Sequence, residues 1–168
     1  RPYLLLGLGV PWVTIKNEEN EDIFFISFAD PKSIGHYPHY CGVFFPVSYS
    51  KDTFFSVRKK DVLDKMNPFL KTDKVETLGK KFNSKIVLKT NNESTVYRFL
   101  QKSNTQNLLL EIFNYDQRLR LELNGPELDF VPQLKDRSTI GFFMKDLWLT
   151  DSEKIEKLLN FGQKLKSY

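Results

Sequence analysis

Between residues 36 and 41 the chain reads His36-Tyr37-Pro38-His39-Tyr40-Cys41, and nowhere else do histidine and cysteine side chains able to ligate a metal stand close together. Imidazole nitrogen and thiolate sulfur both suit Zn²⁺, but a structural zinc site takes four protein ligands and a catalytic one usually three. His36, His39 and Cys41 would supply three, and a fourth would have to be a carboxylate such as Asp30. The chain holds 2 histidines and 1 cysteine in all, so no other set competes. A metal-binding protein built on this cluster is therefore the alternative reading. As a nucleophile pair, His39 and Cys41 would point the same way on a strand, yet an activated thiol also needs an orienting group and an oxyanion hole, and neither is visible. The leading reading turns to the rings instead. Tyr37, Tyr40 and Tyr49 are candidates for an aromatic binding surface, because such side chains are enriched at interfaces. With no catalytic constellation and no cofactor implied, the chain reads as a non-enzymatic binding or interaction module with a protein partner.

Other short signals resolve into structure. Gly7 and Gly9 form G-x-G, but Pro11 and Trp12 stand where a dinucleotide fingerprint needs a helix. A single cysteine excludes an internal disulfide and a Cys-x-x-Cys redox pair. The sequon at Asn92 falls at a helix start. The net charge of +4 is spread evenly, with 11 Lys+Arg against 10 Asp+Glu in residues 1–80 and 14 against 11 in residues 81–168. The densest basic run, Arg58-Lys59-Lys60, is followed at once by Asp61 and reads as a solvated strand end; a nucleic-acid footprint is usually a longer stripe interleaved with stacking aromatics. Nucleic acid is not an expected partner.

The elements that must position these residues follow from period and punctuation. At 168 residues, with 40% hydrophobic and 27% charged residues, the chain has the make-up of one globular α+β domain, with a meander half at 1–78 and a second half at 79–168. The 15 phenylalanines cluster in β-like runs such as Ile23–Phe28, which favours a sheet. Tyr3–Val10 is either a buried first strand or the sequel to a deleted or processed segment. Eight residues are too few to span a bilayer, which needs roughly 20. Trp12–Ile15, Ile23–Phe28, Gly42–Val47 and Thr53–Val57 read as a β-meander, with Pro46 marking an edge or a bulge. Val62, Met66 and Leu70 are spaced for a short helix crossed by Pro68.

In the second half Lys85–Leu88 reads as a strand. Thr90–Glu93, Ser103–Gln106 and Thr150–Glu153 fit capping boxes, each opening a helix with an apolar face. Leu119, Leu121 and Leu123 alternate, as do Leu128 and Phe130, which predicts a hairpin over Arg118–Val131. Because Pro126 has no amide to close a two-residue Asn124-Gly125 turn, a longer loop over Asn124–Glu127 is expected. The terminal helix should turn Ile155, Leu158, Leu159 and Leu165 inward, with Trp148 packed beneath it.

The run Gly79–Glu93, the apolar helix after it, the Leu121–Phe130 hairpin and the Leu149-Thr150-Asp151-Ser152-Glu153 helix start together resemble an uncharacterised bacterial domain usually found after transmembrane helices. The likeness spans about residues 51–168, with Asn83 where that group has Asp and Ile86 where it has a second Phe. The resemblance implies the soluble region of a membrane-associated protein, anchored through a segment preceding Arg1, and it carries over no catalytic residues.

Overall fold

The structure is a computed structural model that describes residues 12–16, 22–29, 39–66 and 78–168. In chain order its elements are strands β1 (Trp12–Lys16), β2 (Phe24–Ala29), β3 (His39–Val47) and β4 (Phe55–Lys59), then helices α1 (Val62–Met66) and α2 (Lys80–Asn83). Strand β5 (Ile86–Thr90), helices α3 (Glu93–Leu100) and α4 (Ser103–Tyr115), strands β6 (Arg120–Leu123) and β7 (Ser138–Lys145), and helix α5 (Ser152–Lys166) follow. Every strand pair is antiparallel, and the sheet order is β1-β2-β3-β7-β6-β4-β5. The expected α+β class, a mainly antiparallel sheet with short helices and a C-terminal helix on it, is what the chain adopts. The Tyr3–Val10 strand, the Asp30–Gly35 loop and the second helical turn at Leu70 lie outside the described residues.

The sheet is not the meander that the order of strands suggests. β1, β2 and β3 do pair in succession, but β3 and β4 are separated by β7 and β6. The segment between β3 and β4 therefore crosses the end of the sheet, and Asn124 holds it there: its amide nitrogen donates to the carbonyls of Ser50 at 3.0 Å and Thr53 at 2.8 Å. Its oxygen accepts from Ser138 Oγ at 2.7 Å and from the Thr139 amide at 3.1 Å.

The expected hairpin is also corrected. β6 pairs with β7 and β4, not with residues 128–130, and Leu128 and Phe130 sit in a turn-rich segment that runs from Gly125 to Arg137. Two causes combine. Pro126 cannot donate to a ladder, and the apolar rings on the far face of the sheet need a cover that these residues provide.

Both faces of the sheet are apolar over its centre. The inner face carries Phe25, Val43, Phe45, Phe55, Val57, Leu121, Ile140 and Phe142, which form one core with the helical residues Val96, Leu100, Leu109, Ile112, Phe113, Leu158, Phe161 and Leu165. The outer face splits into two halves. Over β2, β3 and β7 it is aromatic: Phe24, Ile26, Phe28, Phe44 and Phe143 pack beneath Leu128, Val131 and Leu134 of the long connection. Over β6, β4 and β5 the same face carries Arg120, Glu122, Ser56, Arg58 and Lys89.

Glycine makes the aromatic half close. A Cβ on Gly141 would collide with the Phe44 ring, and one on Gly42 with the backbone of Phe143. Each glycine lies opposite one of these rings across the β3–β7 pair, and the two rings stack at 5.5 Å. Pro46 obeys the edge rule: the last β2–β3 pair is Phe24↔Phe44, so its missing amide falls beyond the β2 ladder. The alternation confirms the side, because His39, seven residues away in β3, turns its carbonyl to the Asp146 amide on the β7 side.

The helix starts shift from the expected boxes. Asn92, not Thr90, caps α3 through the Thr95 amide, while the Thr90 hydroxyl receives the Asn92 amide and donates to Phe54 O. Ser103 is already helical, and its neighbour Lys102 caps α4 without a side-chain bond. Asp151, not Thr150, caps α5 through the Lys154 amide. The structure adds a box at α1: the Asp61 carboxylate accepts from the Asp64 amide and the Asp64 carboxylate from the Asp61 amide, at 2.7 and 3.0 Å, so the basic run Arg58–Lys60 leads straight into a helix start.

Candidate functional site

One end of the sheet gathers the ends of β4 and β7 and the beginnings of β3 and β6. Strand alternation decides what stands there. Leu119 and Leu121 turn into the core, which sends Arg120 to the outer face, directly opposite Arg58 on β4 and Phe143 on β7. Tyr40 and Lys145 are partners across β3 and β7 on the same face. The Lys145 ammonium lies 5.3 Å from the Tyr40 ring centroid, and that ring stacks on Phe28 at 5.2 Å.

The turn from α4 into β6 is closed by an ion pair. Arg118 donates from Nε to Asp116 Oδ1 at 2.9 Å and from its terminal nitrogen to Oδ2 at 2.6 Å. The Arg118 hydrogen bonds hold the Asp116 carboxyl below its usual range. Across the outer face Arg58 makes a two-pronged pair with Asp64, its second prong 2.7 Å from Oδ1, and these bonds pull the Asp64 carboxyl down to about 2. Burial pushes the Tyr115 hydroxyl up, with Lys157 over its ring at 4.4 Å.

Two open hollows flank this turn and share Arg118 and Leu119 as a wall. The outer one, of about 490 Å³, is lined by Arg58, Lys59, Arg120, Lys145 and the carboxylates Asp61 and Asp146. The inner one, of about 410 Å³, reaches Tyr115, Met144, Leu147, Trp148 and Lys154. Trp148 is 42% exposed and tilts against the His39 ring at 4.9 Å, so it borders the inner hollow and is not buried beneath α5 as expected.

Among the described residues, the expected site residues stand apart from one another. His36 and Tyr37 lie outside the described residues. Cys41 is 0% exposed on the inner face, where burial pushes its thiol up, while His39 sits at the strand end on Trp148. Among the described residues no three His, Cys, Asp or Glu side chains group as a metal site would require. Tyr40 belongs to the outer aromatic half, whereas Tyr49 packs against the inner core past the other end of β3. At roughly 3.3 Å per residue, the strand alone puts more than about 20 Å between them.

Of the residues lining the two hollows, the sequence reads Arg58 as part of a solvated strand end and Trp148 as an anchor beneath the terminal helix, and it gives Arg118, Arg120 and Lys145 no role. One signal is present: in Arg118-Leu119-Arg120-Leu121-Glu122-Leu123 the charges alternate with leucines, which sends Arg120 and Glu122 to one face of a strand. Among the described residues no helix is long and apolar enough to cross a membrane. Comparison of the chain with protein-family models, with curated proteins and with solved structures gives no match.

Proposed function

We propose that this chain is a non-enzymatic binding module whose binding surface is the sheet end around the Asp116–Leu119 turn. The observation that carries this reading is the pairing there of two open hollows along one shared wall, one bordered by a half-exposed tryptophan and the other by basic side chains. Concave surfaces with an accessible aromatic ring and a few convergent polar groups are the usual form of a ligand site. The chemistry of the titratable groups argues for binding over catalysis. A general acid or base works best with a pKa near the operating pH, whereas Asp64 and Asp116 are pulled down and held in two-pronged pairs with arginine. The thiol of Cys41, fully buried, is inaccessible to a substrate.

The test is a small-fragment screen on isotope-labelled protein, read by amide and indole chemical shifts. Binding fragments should move resonances of residues 115–120 and 144–149 together, with the Trp148 indole among them, and Trp148→Ala should weaken those hits several-fold. Hits that map instead to the Tyr49 end of the sheet would overturn the reading.

A further inference from the structure

We infer that the outer hollow is an oxyanion site, taking a phosphate or carboxylate group on the fork of Arg120. The inference deepens the binding-module reading and rests on it for the place, but it is carried by its own observation: Arg120 Nε is buried and has no hydrogen-bond partner. A guanidinium nitrogen withdrawn from water and left unpaired is costly, and native structures leave few such atoms without a reason.

The surroundings sharpen the anomaly. Arg58 stands directly opposite Arg120 across the β4–β6 pair, and like charges in that position repel. Arg58 is neutralised by Asp64, whose carboxylate is already engaged: both oxygens receive Arg58, and Oδ2 also receives the Asp61 amide. The Asp116 carboxylate is likewise taken up by Arg118. Neither bonds Arg120 Nε, and nor do Asp61 and Asp146, the carboxylates that line the hollow. The ammonium of Lys145, held over the Tyr40 ring, stands along the same face of the hollow. A planar guanidinium beside a second basic group is the arrangement that matches the paired oxygens of a carboxylate or phosphate. Glu122, two residues on in β6 and on the same face, accepts from Ser56 Oγ at 3.1 Å and makes no bond to Arg120 Nε.

The experiment follows the Arg120 Nε–H resonance of the whole chain during titration with inorganic phosphate, and separately with acetate, against sodium chloride at matched ionic strength. Saturable movement with phosphate, weakened about tenfold or more in Arg120→Gln and Lys145→Gln judged by neighbouring amides, supports the site. Saturation at lower concentration with acetate supports it as a carboxylate site. Movement no larger than chloride produces overturns it, and because the wild-type signal is the readout, the outcome does not depend on either variant folding. If phosphate fails while fragments still map to this end, the oxyanion inference falls alone; if fragments map elsewhere, the module reading falls with it.

Discussion

Asn124 stands at φ 52°, one of three non-glycine residues with positive φ among those described, and its side chain ties three separate stretches of chain together. The left-handed conformation costs a residue with a Cβ roughly 1 kcal/mol or more, which the bonds to Ser50, Thr53, Ser138 and Thr139 offset. Asn124→Ala should lose those bonds and keep the strain, destabilising by about 3 kcal/mol or more, while Asn124→Gly should lose the bonds and relieve the strain. Denaturant unfolding of the two variants measures the difference, and equal losses would show that the strain is negligible. A second test at this scale uses Asp64. Its folded pKa of about 2 lies below the unfolded value of about 3.9, so its contribution is fully present above about pH 4 and is lost as the pH falls through 2. The stability gap between the wild type and Asp64→Asn should therefore be constant near neutrality and close between about pH 4 and pH 2. A gap unchanged across that window would mean that Arg58 does not hold the charged carboxylate.

At the scale of elements, α5 shows what spacing can and cannot reveal. Its inward leucines were legible because a helix repeats every 3.6 residues, and Leu158 and Leu165 are 1% and 2% exposed as expected. Ile155 and Leu159 are only partly buried, and Phe161 and Gly162 complete the contact. A Cβ on Gly162 would come within 2.7 Å of Val43 on β3, so the glycine sets how closely the helix lies on the sheet. Leu158→Ala should cost about 2–5 kcal/mol, the range for emptying a buried leucine site, and Gly162→Ala should also destabilise by forcing the two elements apart. A thermal midpoint within error of wild type for Leu158→Ala would reject the docking. β7 was missed for the opposite reason. Covered on both faces, Ser138–Lys145 has no alternation to read, only a short apolar run that periodicity cannot assign. The alternation of β6 was visible, but with its true partner hidden the nearest apolar residues, Leu128 and Phe130, took that place. The candidate site was lost with β7, since Arg120 and Lys145 meet only once β6 and β7 are paired.

At the scale of the molecule, the strand order interleaves the two halves that composition would separate. β4 comes from the first half yet lies between β6 and β5 of the second, and β3 pairs along eight residues with β7. Neither half can close its own sheet: residues 1–78 would leave β4 without both its neighbours, and residues 79–168 would leave β6 and β5 with a strand missing between them. The exposed edges would be apolar on the inner face, where Val57 and Leu121 meet. Such unpaired edges invite association with other chains. The chain should therefore unfold as one unit, with coincident urea transitions by far-ultraviolet dichroism and by tryptophan fluorescence, and with β7 amides the slowest to exchange because that strand is paired on both sides and covered on both faces. Each half expressed alone should be unfolded or aggregated, and mixing the two should restore the dichroism of the whole. Two separate transitions, or a folded first half, would mean that the β3–β7 and β4–β6 pairs are not what holds this sheet together.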